Sequence, residues 1–285
     1  MEQVVEPVHT AKEVKKGRAI VVTSGKGGVG KTTTTANLGT GLALSGHSVC
    51  LVDTDIGLRN LDIVLGLDNR SIYNLVDVIS GQCKLHQALV RDKRFEEMYL
   101  LPAAQSKDKT SVQPEQVKEI IDQLKTQYDF VLIDCPAGIE QGFMNAIAGA
   151  DEAVVVTTPE KAAVQDADRI IGMLEQAEHV AAPKLIVNRV KNHLVESGDM
   201  LDIDDIMRIL SIDLLGVVVD DEEVIAAANR GVPVTMNPDN NAGQAYRNIT
   251  RRILGESVPL MSIQTEKKPV GFWTKLMMKF GMKKA

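Results

Sequence analysis

Ala19-Ile20-Val21-Val22-Thr23-Ser24-Gly25-Lys26-Gly27-Gly28-Val29-Gly30-Lys31-Thr32-Thr33 decides the fold. Four apolar residues and a threonine read as a short buried strand, and a helical pattern begins at Lys31. The segment between them satisfies G-x-x-x-x-G-K-T with strand before and helix after, the context that makes the spacing meaningful. Glycines let the backbone curl so that successive N–H groups aim at phosphate oxygens, and the positive end of the following helix adds to the attraction. Lys31 is expected to reach the β- and γ-phosphates, and the Thr32 hydroxyl to take a place on Mg²⁺. Residues 25–33 are therefore the candidate ATP-binding loop. A glycine turn without a ligand would need neither the lysine nor the threonines.

Outward from this loop, short apolar runs alternate with helical patterns. Strands are expected at 19–23, 48–53, 98–102, 130–134, 153–157, 185–188 and 214–219. Most are Val/Ile/Leu runs without polar alternation, as in strands buried on both faces. Helices are expected at 31–45, 72–80, 114–127, 142–149, 161–176, 200–210, 222–230 and 242–254. Strand, crossover helix, strand is the grammar of an α/β protein with a mostly parallel twisted sheet and helices on both faces.

In such sheets ligands sit at the carboxyl ends of the strands, so the acidic residues ending apolar runs matter. Val49-Cys50-Leu51-Val52 leads into Asp53-Thr54-Asp55, and alternation predicts both carboxylates on the same side. Phe130-Val131-Leu132-Ile133 leads into Asp134. Asp55 is the candidate to orient an attacking water. Asp53 and Asp134 are the candidates to hold Mg²⁺ or its waters. An Asp that only caps a turn is the plainer reading of Asp134, and the four apolar residues before it argue against that reading. No Ser-His-Asp set and no paired metal ligands are found, and the five histidines are scattered. Phosphoryl transfer to water is the chemistry left.

Composition sets bounds. With 285 residues, 44% hydrophobic and only 4% aromatic, the chain suits Val/Ile-rich strands under Ala/Leu-rich helices. Cys50, Cys83 and Cys135 show no CxxC spacing and read as small buried hydrophobes in a reducing compartment. No run approaches the ~18 apolar residues of a spanning helix, and the first residues form no signal peptide, so a cytoplasmic protein is expected. Net charge is −6, yet from Gln264 to Ala285 six lysines oppose only Glu266, a balance of +5 that leaves −11 on the rest. An acidic body disfavours nucleic acid as a partner. In the basic end Phe272, Trp273, Leu276, Met277 and Phe280 fall on one helical arc, with Lys275 and Lys279 beside it. Aromatics flanked by lysines suit an anionic membrane surface; a core-packing or partner-docking helix is the alternative. The chain divides into an extension (1–17), a body (18–255), a linker (256–269) and an amphipathic membrane helix (270–284).

The lysine at the second position of the loop, Lys26, carries a resemblance. Lys26-Gly27-Gly28-Val29-Gly30-Lys31-Thr32 resembles the deviant Walker A loop of the ParA/MinD family. The blocks Asp53-Thr54-Asp55-Ile56-Gly57-Leu58-Arg59-Asn60-Leu61-Asp62, Leu101-Pro102-Ala103-Ala104-Gln105, Asp134-Cys135-Pro136-Ala137-Gly138-Ile139-Glu140 and Asp166-Ala167-Asp168-Arg169-Ile170 are similar to its septum-placing MinD branch. The resemblance covers nearly the whole chain from about residue 18. It implies a P-loop NTPase fold of the SIMIBI type and Mg-dependent hydrolysis of ATP by a homodimer. Lys26 would cross the interface to the partner's ATP, and Asp55 would be the hydrolytic aspartate. Arg59 and Asn60 would form a switch, and Asn188 and Arg189 would contact adenine. Asp166 and Asp168 would face a MinC-type division inhibitor, although two residues at i, i+2 do not share a helix face and read physically as a solvated first turn. A regulator of the MinE or DivIVA type and anionic lipids complete the implied partners, with the protein peripheral on the cytoplasmic face of the inner membrane. Residues 1–17 depart from the pattern. They keep open an FlhG-like flagellar-number ATPase, and a ParA-type DNA-partition ATPase is the further alternative.

Overall fold

A computed structural model describes residues 16–68, 70–105 and 112–260. The strands are β1 (Arg18–Thr23), β2 (Val49–Asp53), β3 (Val90–Arg91), β4 (Met98–Leu101), β5 (Phe130–Asp134), β6 (Glu152–Thr157), β7 (Lys184–Val190) and β8 (Asp213–Val219). They form one eight-stranded sheet in the order β3-β4-β2-β5-β1-β6-β7-β8. Every pairing is parallel except that of β3 with β4. The seven expected strands all form, within a few residues of their predicted bounds. The two-residue antiparallel β3 was not foreseen, since so short an edge carries no periodic signal.

The helices are α1 (Lys31–Leu44), α2 (Leu61–Val64), α3 (Leu75–Ile79), α4 (Leu85–Ala88), α5 (Pro114–Lys125), α6 (Gln141–Ile147), α7 (Lys161–Glu175), α8 (Asn192–Ser197), α9 (Ile203–Leu210), α10 (Glu222–Asn229) and α11 (Asn241–Ile253). A 3-10 turn at Val234–Met236 precedes the last. Caps explain where two helices start later than the hydrophobic pattern implied. Asn74 accepts from the Val76 and Asp77 amides while Asp77 accepts from the Asn74 amide, so α3 begins at Leu75 rather than 72. Asp202 accepts from the Asp205 amide, so α9 begins at Ile203 rather than 200. The single-turn helices α2 and α4, and six-residue α8, were missed because one turn shows too few apolar positions to define a face.

Successive side chains of each strand point to opposite faces, and both faces are covered. Ala19 and Val21 of β1 join Val117, Ile121, Phe143, Ile170 and Leu174 of α5, α6 and α7 in one buried cluster. Ile20 and Val22 join Leu38 and Leu42 of α1 and Tyr246 and Ile249 of α11 in the other. This two-sided burial is why the strands read as continuous apolar runs. Cys50 and Cys135 are buried as expected, but Cys83 is half-exposed.

Gly255, at φ 90°, turns the chain out of α11, and Arg252 then donates to the carbonyls of Leu215, Val258 and Pro259. Among the described residues no helix is long and apolar enough to cross a membrane. The expected helix at 270–284, with Phe272, Trp273, Lys275, Leu276, Met277, Lys279 and Phe280, lies outside the described residues, as do 1–15.

Candidate nucleotide site

Parallel pairing brings the carboxyl ends of three strands together. Val22 of β1 stands opposite Asp134 of β5, and Asp134 opposite Asp53 of β2. Both aspartates are about 1% exposed, so two carboxyls share a buried edge beside the loop that leaves β1. Burial first, and then its neighbour Asp134, hold the Asp53 carboxyl well above the usual carboxylate range. Burial pushes Asp134 up to about 6, against hydrogen bonds from the Thr32 and Thr35 hydroxyls and the charge of Lys31. Thr35 Oγ1 donates to Asp134 at 3.2 Å, and Asp53 accepts from the amides of Asp55 at 2.9 Å and Leu61 at 3.3 Å. The strand ends at Asp53, and Asp55 lies beyond it in the following loop. Strand alternation therefore does not set the placement of Asp55, yet its charge still bears on both buried carboxyls.

The loop itself is held from three directions. Gly28 and Gly30 take φ of 79° and 98°, the left-handed region that a side chain resists. A Cβ on Gly30 would stand 2.4 Å from the Asn188 amide nitrogen, and one on Gly25 would stand 2.1 Å from the carbonyl oxygen of Asp166 on α7. Asn188 donates to the Val29 carbonyl at 2.8 Å, and Arg189 to that of Gly28 at 3.2 Å. Lys31 is buried at the foot of the loop, whereas Lys26, Gly27 and Gly28 are exposed on its crest. Thr33 lines the adjoining cleft.

That cleft, roughly 170 Å³, is bounded by Gly28, Gly30, Thr33, Asn188, Arg189, Val219, Asp220, Asp221, Val224 and Ile225. Phosphate loop and cleft are contiguous, as a nucleotide requires. Asn188 already gives one amide hydrogen to Val29, so it offers a base edge only its remaining donor and its oxygen. Asp220 lies on the rim, within ion-pair distance of Arg189 at 3.4 Å and Lys191 at 3.5 Å. Val224 and Ile225 on α10 were not foreseen as cleft residues, and neither was Thr35 as a partner of Asp134. Thr35 was findable, since it lies one turn beyond Lys31 on the same helix.

The expected switch and partner residues are set apart from one another. Arg59, at φ 45°, donates to Asp62 at 2.7 Å and to Ser71 at 2.5 Å. Asn60 occupies the N-cap position of α2 without a side-chain cap bond. Asp166 is half-buried against the loop and 3.6 Å from Arg169, while Asp168 is exposed. Because α7 starts at Lys161, they lie in its second turn and beyond, which corrects the reading as a solvated first turn.

The donor set fits a nucleoside triphosphate with a hard divalent cation. The positive-φ cradle and Lys31 suit phosphates, and the Thr32 hydroxyl with two carboxylates suits Mg²⁺, which takes few protein ligands and completes its shell with water and phosphate oxygens. Among the described residues no group of three or more His, Cys, Asp or Glu could hold a metal ion without such help.

Known proteins resemble this chain along almost its whole length. A family described as AAA domain matches residues 17–187. The septum site-determining protein MinD of Bacillus subtilis is 63% identical over 268 residues, 94% of this chain and 99% of that protein. The structure described as the MinC:MinD cell division protein complex of Aquifex aeolicus superposes with a TM-score of 0.80 at 43% identity, covering 86% of this chain and 99% of that one. Pyrococcus horikoshii MinD complexed with Mg-ADP superposes at 0.75 with 34% identity, covering 83% and 96%. With its loop, its aligned carboxylates and this degree of likeness along almost its whole length, the chain belongs to the MinD family of septum site-determining P-loop proteins.

Proposed function

We propose that the chain hydrolyses ATP to ADP and phosphate as a dimerisation switch, and that its ATP state holds it to a membrane and recruits a MinC-type inhibitor to place the septum. The observation that carries the hydrolytic reading is the buried Asp53–Asp134 pair in register beside Lys31 and Thr32. Two adjoining carboxyls that burial makes harder to ionise become a stable anionic pair when a divalent cation joins them.

In this reading Lys31 and the N–H groups of residues 25–33 neutralise the β- and γ-phosphates. Thr32, Asp53 and Asp134 would hold Mg²⁺, which would supply charge neutralisation for the phosphates. Asp55 orients the attacking water, and Asn188 and Arg189 border the base. The exposure of Lys26 on the crest supports its reaching a second copy's phosphates. That the Aquifex relative is described in complex with MinC supports an inhibitor partner, and the Mg-ADP of the Pyrococcus relative supports the cofactor. The basic aromatic tail supports anionic lipid as the surface, and a MinE- or DivIVA-type protein is the fitting regulator.

The test is co-sedimentation with anionic liposomes, with ADP or a non-hydrolysable ATP analogue, beside a chain ending at Lys268. Binding only with the ATP analogue, lost with the tail, is the expected result. Liposomes ignored in both states would overturn the membrane switch and favour the DNA-partition alternative. In parallel, Asp55→Ala is expected to cut hydrolysis by about 10²-fold or more while leaving nucleotide binding intact.

A further inference from the structure

The two ends of the site are joined by an arginine that touches neither. Arg94 pairs with Asp92, which is about 1% exposed, through Nε at 2.9 Å and Nη2 at 2.5 Å. The rest of its fork spans two loops. Nη2 donates to the Leu65 carbonyl at 2.6 Å, just past the end of α2, and Nη1 to the Gly231 carbonyl at 2.8 Å, just past the end of α10. The two loops also touch directly. A Cβ on Gly231 would lie 2.4 Å from the Gly66 Cα, and both glycines have positive φ.

What these helices do at their other ends gives the bridge a purpose. The amide of Leu61, first residue of α2, donates to Asp53 on the cation side of the site, and Asp62 on α2 holds Arg59. Helix α10 supplies Val224 and Ile225 to the nucleoside cleft, and its N-cap Asp221 also lines that cleft while accepting from Asn240 of the next helix. A base seated in the cleft bears on α10. That helix has no free end, being held by Asp221–Asn240 at its start and by Arg94 and Gly66 at its finish. Its displacement therefore carries α2, and with it Leu61 and Arg59.

We infer that Arg94 is a positioning residue that couples occupation of the nucleoside cleft by a base to the placement of the α2 segment beside Asp53. Hydrolysis thereby depends on the base as well as on the triphosphate. The inference rests on the chain being an ATPase and goes beyond that reading by stating how the base influences the chemical step. Coupling between two sites is worth a factor of about 5 to 150, so a base-free triphosphate is expected to turn over more slowly by a factor in that range, apart from any loss in affinity.

The experiment compares kcat and KM for ATP and for ribose 5′-triphosphate in the full chain, in Arg94→Lys and in the double variant Asp92→Asn with Arg94→Gln. The double variant avoids leaving a buried carboxylate unpaired. Lysine can still pair with Asp92 but has no fork to span two carbonyls. The expected result is a kcat ratio of ATP to ribose 5′-triphosphate of about 5 or more in the parent chain. In both variants that ratio should fall toward one, while the KM ratio, set by contacts within the cleft, persists. Equal loss of kcat on both substrates, full recovery by lysine, or a parent ratio of one would each overturn the coupling. A parent chain that hydrolyses neither substrate sinks the ATPase reading and the coupling together. Active chain showing no discrimination removes the coupling alone.

Discussion

Asp134 is kept at the cost of stability. It is fully buried and pushed up to about 6, so the folded chain holds a proton that the unfolded chain releases near 4. The stabilisation from that proton is complete below the unfolded carboxylate range and is lost as pH rises through about 6. Nucleotide-free protein is therefore expected to unfold at a higher temperature at pH 5.5 than at pH 7.5 in calorimetry, with Asp53 acting in the same direction. Asp134→Asn should stabilise the nucleotide-free chain at pH 7.5 by about 2 to 3 kcal/mol and remove the pH dependence due to this residue, while abolishing Mg-dependent hydrolysis. No gain in unfolding temperature would show that the ionised carboxylate is better compensated by Lys31 and the two threonines than its burial implies. Thiol chemistry checks burial at the same scale. Burial pushes Cys135 up to about 12 and Cys50 higher, so an alkylating reagent at pH 8 should modify Cys83 first in native protein, with the other two reacting only on unfolding. The loop residues and the acids ending β2 and β5 were legible in the sequence because spacing and context fix their chemistry. Arg94 was not, since, beyond Asp92, it spans backbone carbonyls 29 and 137 residues away, which no local pattern announces.

Elements were legible to the degree that they are buried on a repeating face. The apolar runs of β1, β2 and β5 were read without ambiguity because helices cover both of their sides. Helix α2 could not be read, although it connects Asp53 to Arg94, because at four residues it is held by tertiary contacts rather than by its own pattern. Packing of α11 on α1 offers a measurable case. Tyr246 is fully buried, and its hydroxyl lies 3.2 Å from that of Thr34, one helical position from the cleft-lining Thr33. Tyr246→Phe removes one hydrogen bond and leaves Thr34 the option of bonding within its helix, so about 1 kcal/mol of stability should be lost, seen as a fall of about 2–4 °C in melting temperature. Gly30→Ala acts on the loop–helix junction instead. Its φ of 98° and the 2.4 Å approach of Asn188 leave no room for a methyl group. Nucleotide affinity by equilibrium titration should fall at least tenfold, a loss of about 1.4 kcal/mol, and the melting temperature of nucleotide-free protein should fall as well.

At the scale of the whole molecule, the phosphate loop is where the two helical layers meet. Gly25 lies against α7 of one layer, and Gly30 opens α1 of the other. A nucleotide seated there should stabilise the molecule as a unit. MgATP at about 100 times its dissociation constant is expected to add about 2.7 kcal/mol to unfolding, and ATP with a chelator distinctly less. Equal shifts with and without Mg²⁺ would remove Asp53 and Asp134 from the cation's coordination. The borders of the sheet, finally, bear on what happens when many copies gather on a surface. One edge is β3, only two residues long and antiparallel, with buried Asp92 and its ion-pair partner Arg94 directly after it. At the other edge Arg252 occupies the Leu215 carbonyl of β8 and ties the departing chain across it. Exposed strand edges are what crowded β proteins aggregate through, and these two are blunted. In the proposed membrane-bound state, copies concentrated on a lipid sheet would thus collide often without zipping into fibres, leaving flat faces and loop crests as the places for reversible association.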